Sequence, residues 1–224
     1  MTDLGAAYRQ ARESVADLIR SLGPDQLARP VPACPGWTVH DVVAHLTGVA
    51  SDVITGRLTG IPDESQTAAQ VADRSATPTA VVLREWERSA SQLEAVLSKG
   101  GRSNLPPVAD VVVHEQDIRG ALGLPGNRDT SLIDLVTAPV AGLWESKIDS
   151  AGLAPVVVKD GDRVMYGSPE APVEMATSRF EFFRAAYGRR SRSQIERRFH
   201  GTDDPGAYVD LLCVFGPAGS DLVE

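Results

Sequence analysis

Four histidines, two cysteines and three methionines are spread over 224 residues, so imidazole and sulfur chemistry can be built in few places. Cys34 and Cys213 stand far apart, with no CxxC or zinc-ribbon spacing around them. This excludes a cysteine-based metal cluster and a disulfide framework, and it fits a reducing compartment. No stretch approaches the ~18 consecutive apolar residues that a membrane-spanning helix needs. The opening MTDLGAAYRQARESVADLIR alternates charged and apolar residues, unlike the apolar region of a signal peptide, and a cytoplasmic location is the expectation. Positive charge is also short: 22 Lys and Arg against 30 Asp and Glu leave a net charge of −8. That balance argues against nucleic acid and anionic membranes as partners. There is no H-E-x-x-H either, because His114-Glu115 is followed by Ile118 where a zincin protease needs its second histidine.

What is present is an ordinary soluble composition, 42% hydrophobic and 23% charged, arranged mostly in helical periods. Leu4, Tyr8, Ala11, Val15, Leu18 and Leu22 recur at spacings of three and four, with Thr2 as the expected N-cap. Gly23-Pro24 stops that helix, and RPVPACPGW (29–37) is a turn-rich connector. Thr38 opens a second helix with Asp41 in its first turn, where a carboxylate favours the positive dipole end. Residues 59–76 are polar and small, a loop with a short helical piece. Thr77-Pro78 starts a third helix that GGRSN breaks; Pro106-Pro107 opens a fourth, capped by Gly123. Four long helices predict an antiparallel four-helix bundle. A fifth helix over 131–149 contains Pro139, which should kink or split it. After Gly152 the pattern changes: APVVVKDGDRVMYG reads as a hairpin with Asp160-Gly161 at its tip, then VEMATSRFEFFRAAYG as a helix, and a last helix near 205–214. The expected organisation is therefore a mainly α chain, with a helical bundle over 1–150 and a small α+β part over 151–224.

The histidines carry the chemistry. Asp110, His114 and Asp117 fall within about 60° of arc on one helical face, which fits either a solvated stripe or half of a metal site. His45 lies mid-helix in DVVAHLTGVASD, either as a hydrogen-bonded core residue or as the other half. If the second and fourth long helices are neighbours, both imidazoles can meet across the core, and Asp41 could accept an N–H from His45 and fix its tautomer. Two imidazoles and a carboxylate with open positions suit a catalytic divalent ion such as zinc; nickel, iron and manganese share these donors.

CPGWTVHDVVAHLTG (34–48) and VVVHEQDIRGALG (111–123) resemble the mycothiol-dependent maleylpyruvate isomerase family, a branch of the DinB-like metal-binding four-helix bundles, and RFEFFRAAYGRRSRSQIERR (179–198) resembles its C-terminal region. The resemblance implies a divalent metal, zinc foremost, held by His45, Asp110 and His114. The family pattern has Glu where this chain has Asp110; the side chain is one methylene shorter, so Asp117 is the alternative carboxylate. The resemblance also implies mycothiol as thiol cosubstrate, held by the metal as thiolate. In an isomerase the thiolate adds to a conjugated cis double bond, the resulting single bond rotates, and expulsion of the thiol leaves the trans product. S-transfer is open to the same site. A non-catalytic DinB-like binding or regulatory module and a metal-dependent hydrolase are the competing readings. The expected partners are a small-molecule substrate and a low-molecular-weight thiol, in a monomer or homodimer.

Arg189, Arg190, Arg192, Arg197 and Arg198 form a basic cluster in an acidic chain. It reads as a solvated face or as an anion site, with Arg189 and Arg190 the candidates to bind carboxylates of the thiol cofactor or substrate. Cys34 is expected to be packed at its turn, Trp37 to pack in the core or to wall the metal pocket, His40 to be exposed, and His200 to end a helix.

Overall fold

The computed structural model describes residues 2–101 and 104–224, so residues 102 and 103 of the expected GGRSN break lie outside the described residues. The chain divides into two compact units, one running through Gly126 and joined by Glu224, the other covering Asn127–Val223.

The first unit is built on four long helices, α1 (Leu4–Arg20), α3 (Val39–Ile54), α5 (Thr79–Lys99) and α6 (Pro106–Leu122), with two short ones, α2 (Pro24–Leu27) and α4 (Glu64–Ala72). Asp3, rather than Thr2, caps α1 by accepting from the backbone N–H of Gly5 and Ala6. Thr38 caps α3 as expected and forms a reciprocal box with Asp41. Gly123 closes α6 in the left-handed region at φ 65°. Around the bundle, α1 touches α5 and α6, and α3 touches the same two, so α3 and α6 are neighbours. Directions follow from the side-chain pairs. Asp3 meets Ser98 and Arg9 meets Glu94, so α1 and α5 run antiparallel. Arg29 reaches Ala121 while His45 faces Asp110, so α3 and α6 do too. His40, however, bonds Thr79, start to start, so α3 and α5 run parallel. The expected all-antiparallel arrangement is corrected here: a parallel pair cannot be joined by a tight turn, and residues 55–78, with α4 inside them, are the crossover. α3 is buried from Val42 to Ala50 without interruption because α4, α5 and α6 all pack on it.

The second unit contains α7 (Ser131–Ser150), a four-stranded sheet and three short helices, α8 (Arg179–Ala186), α9 (Arg192–Glu196) and α10 (Pro205–Leu212). The strands β1 (Val156–Asp160), β2 (Arg163–Tyr166), β3 (Val173–Ala176) and β4 (Phe199–His200) lie in the order β2-β1-β3-β4, with β1 and β3 parallel. The β1–β2 hairpin turns at Gly161, φ 58°, as its sequence predicts. The helix expected from Val173 starts only at Arg179, capped by Ser178. The preceding VEMA is a strand that buries Val173 and Met175 alternately, a period of two that the helical reading overlooked. α7 continues through Pro139. Placed with the bundle in the sequence reading, it groups here with the sheet: Trp144 packs on Phe182 at 5.8 Å and donates its indole N–H to the Tyr208 carbonyl at 3.0 Å. The division thus falls after Gly126, one helix earlier than residue 150.

Candidate metal centre

The neighbouring α3 and α6 bring His45 and His114 together inside the first unit. Their ring centroids are 5.2 Å apart, nearly edge to face, and both residues are buried, at 3% and 7% exposure. Asp110, one turn before His114 on α6, sits between them. One of its oxygens lies 3.4 Å from His45 Nε2 and the other 3.5 Å from His114 Nε2. These separations exceed the 2.7–2.9 Å of a charge-assisted hydrogen bond. They are close to the ~3.3–3.4 Å edge of a tetrahedron built on metal–ligand bonds of ~2.0–2.1 Å. One donor atom from each of the three residues falls within 4.8 Å of the other two, so the set fits a small divalent cation.

The other nitrogen of each ring is engaged from behind. His114 Nδ1 stands 2.9 Å from Asp117 Oδ2, and His45 Nδ1 stands 2.9 Å from Gln70 Oε1 on α4. Such outer contacts orient a ligating imidazole. Asp117 is fully buried and lies on the Nδ1 side of His114, away from the ring atom that faces Asp110. Cys34 also approaches this side, 3.5 Å from Asp117 Oδ2 and 3.7 Å from His114 Nδ1. Cys34, His114 and Asp117 also bring one donor atom each within 4.8 Å of the others, but 2.9 Å between His114 and Asp117 is a hydrogen-bond length, shorter than two ligands of one ion allow. Trp37, presented by the P-G-W turn, covers both imidazoles, with centroids 5.1 Å from His45 and 6.2 Å from His114.

Asp41 is not behind His45. Its Oδ2 accepts from Thr38 N and Thr38 Oγ1, both at 2.8 Å; two nearby donors at an unsatisfied helix start hold the carboxylate there. Gln70 takes the position expected of Asp41, and the polar stretch 59–76 gave no periodic signal for it. His40 is half-buried, bonded to Thr79 and the Arg74 carbonyl, and exposed His200 lies in β4 rather than at a helix end. Arg189 and Arg190 belong to the second unit. Arg190, 3% exposed, forms a two-pronged pair with Glu181 at 2.6 and 2.9 Å, and Arg189 donates to the Tyr187 carbonyl. Arg198 shares Glu181 and Arg192 meets Asp210 and Glu196. The cluster is largely occupied by the chain's own carboxylates.

Residues 8–104 match the model of the mycothiol maleylpyruvate isomerase N-terminal domain. No match is found among curated proteins. Two solved structures share the fold: a histidine-to-alanine variant of mycothiol-dependent maleylpyruvate isomerase, with a TM-score of 0.56 and 14% identity, and a second structure of mycothiol-dependent maleylpyruvate isomerase, with a TM-score of 0.51 and 15% identity. In both cases 83% of this chain and 88% of the other are covered. Among the described residues no helix is long and apolar enough to cross a membrane. The family that the CPGWTVHDVVAHLTG and VVVHEQDIRGALG motifs resemble is thus the one whose N-terminal domain residues 8–104 match and whose DinB-like fold the chain shares.

Proposed function

We propose that the chain is a divalent-metal enzyme of the mycothiol-using isomerase or S-transferase type, with His45, Asp110 and His114 as ligands and zinc as the cation. One observation carries this reading: two buried Nε2 atoms from different helices face the two oxygens of one carboxylate at ligand–ligand distances, while both Nδ1 atoms are engaged from behind. A cation held by three protein ligands keeps a position open, and there it would hold a thiol as its nucleophilic thiolate. The chain's own residues supply orientation and shape. Asp117 and Gln70 fix the rings, Asp110 offers the negative charge, and Trp37 gives the site an apolar wall against which an unsaturated substrate can lie. Support for mycothiol as the thiol comes from the N-terminal family match and from the fold shared with mycothiol-dependent isomerases.

The test is elemental analysis after zinc loading and dialysis. One equivalent is expected in the wild type and less than about a tenth in His45→Ala or His114→Ala. Asp110→Asn should lose more affinity than Asp117→Asn, because only the former removes a ligand. Zinc retention unchanged in both histidine variants sinks the site. Mycothiol at ~100 times its Kd should stabilise the loaded wild type by about 2.7 kcal/mol, read as a rise in Tm, and leave the histidine variants unmoved. Ester hydrolysis without thiol would instead favour the hydrolase.

A further inference from the structure

α4 lies close on α3 because position 48 has no side chain. A Cβ there would stand 2.5 Å from Gln70 Cβ and 2.6 Å from its Cγ, far inside the ~3.5–4.0 Å at which carbons pack. Gln70 thereby reaches the buried His45 while being only 3% exposed itself.

The directions of the hydrogen bonds behind His45 follow from the outside inward. Arg57 Nη2 meets Asp52 Oδ1 at 2.8 Å, and Gln70 Nε2 lies 2.8 Å from Asp52 Oδ2. A carboxylate paired with arginine only accepts, so the glutamine must turn its NH2 to Asp52 and its Oε1 to His45. That oxygen in turn only accepts, so the Nδ1 atom 2.9 Å away must carry the proton. A neutral ring protonated at Nδ1 has its lone pair on Nε2, the atom that faces Asp110 at 3.4 Å.

We propose that Gln70 is a positioning residue, anchored by Asp52, that sets the tautomer of His45 and so makes Nε2 the donor to a cation. The consequence for the cation rests on the metal reading above; the tautomer does not.

The experiment is 15N NMR of the metal-free, full-length protein with labelled histidine, above the imidazole titration range, with His45 assigned from a His45→Asn control. His45 is expected to carry its proton on Nδ1 in the wild type. Gln70→Leu, verified as folded by circular dichroism, should shift the ring toward the Nε2–H form and weaken zinc binding about 10–100-fold. Gly48→Ala, which keeps every polar group but wedges α4 away, should shift the ring in the same direction. The double variant Gln70→Glu with Asp52→Asn keeps an acceptor toward His45 and places a donor behind it; it should restore Nδ1–H and bring zinc affinity back to within about threefold of wild type. An Nε2–H tautomer in the wild type, or an unchanged tautomer in folded Gln70→Leu, overturns the proposal. If zinc fails to bind the wild type while the tautomer responds as stated, the metal reading falls and the assignment of Gln70 stands.

Discussion

The two imidazoles are held by unlike partners, a carboxylate behind His114 and an amide behind His45. One acceptor is a carboxylate and the other a neutral amide oxygen, although both rings face the same aspartate. Their positions were legible in the sequence. An i, i+4 pair of Asp110 and His114 on one helix, and a mid-helix His45 on another, left few arrangements for buried polar groups. Asp41 was misplaced by the same spacing logic, because Thr38 competes for its carboxylate and is nearer. Gln70 had no signature at all, since its role comes from where α4 lands. The cysteines also differ. Burial pushes the Cys213 thiol up to about 11, and its sulfur faces the Ala185 carbonyl. Very little of it is thiolate at pH 7.5, so iodoacetamide should leave Cys213 unmodified in the native protein and alkylate it in urea, as intact and peptide mass will show.

Among the elements, β3 and α7 show what local patterning omits. The segment VEMATSRFEFF contains both a two-residue and a helical period, and pairing with β1 and β4 decides where one ends. α7 carries an apolar stripe that would suit a bundle or a sheet equally, and the aromatic cluster around Trp144 and Phe182 decides for the sheet. The elements α8 and α9 are tied by Glu181, which receives Arg190 and Arg198. Burial alone would raise the Glu181 pKa, but the hydrogen bonds and charge of Arg190, with the charge of Arg198, outweigh it and hold the carboxyl below its usual value. A carboxylate with a depressed folded-state pKa stabilises fully above its unfolded pKa, near 4.5, and loses that contribution as pH falls through the lower folded value. Glu181→Gln, which removes the carboxylate that Arg190 and Arg198 share, should cost about 1–2 kcal/mol at pH 7. The gap to wild type in urea unfolding should narrow steadily below pH 4.5; a gap independent of pH would contradict this account.

For the bundle as a whole, the parallel course of α3 and α5 has a kinetic consequence. A plain up-and-down bundle closes through neighbouring hairpins, whereas here the crossover and α5 both lie between the helices that carry His45 and Asp110, two residues 65 positions apart in sequence. Long closures of this kind are made late and slow the search. Zinc, on our reading, recognises only the finished arrangement. Its stabilisation should therefore appear almost wholly on the unfolding limb of a stopped-flow chevron, with the refolding limb left where it was. A protein wired this way would gain lifetime from its cation rather than speed of assembly, and chelation would shorten the first without touching the second.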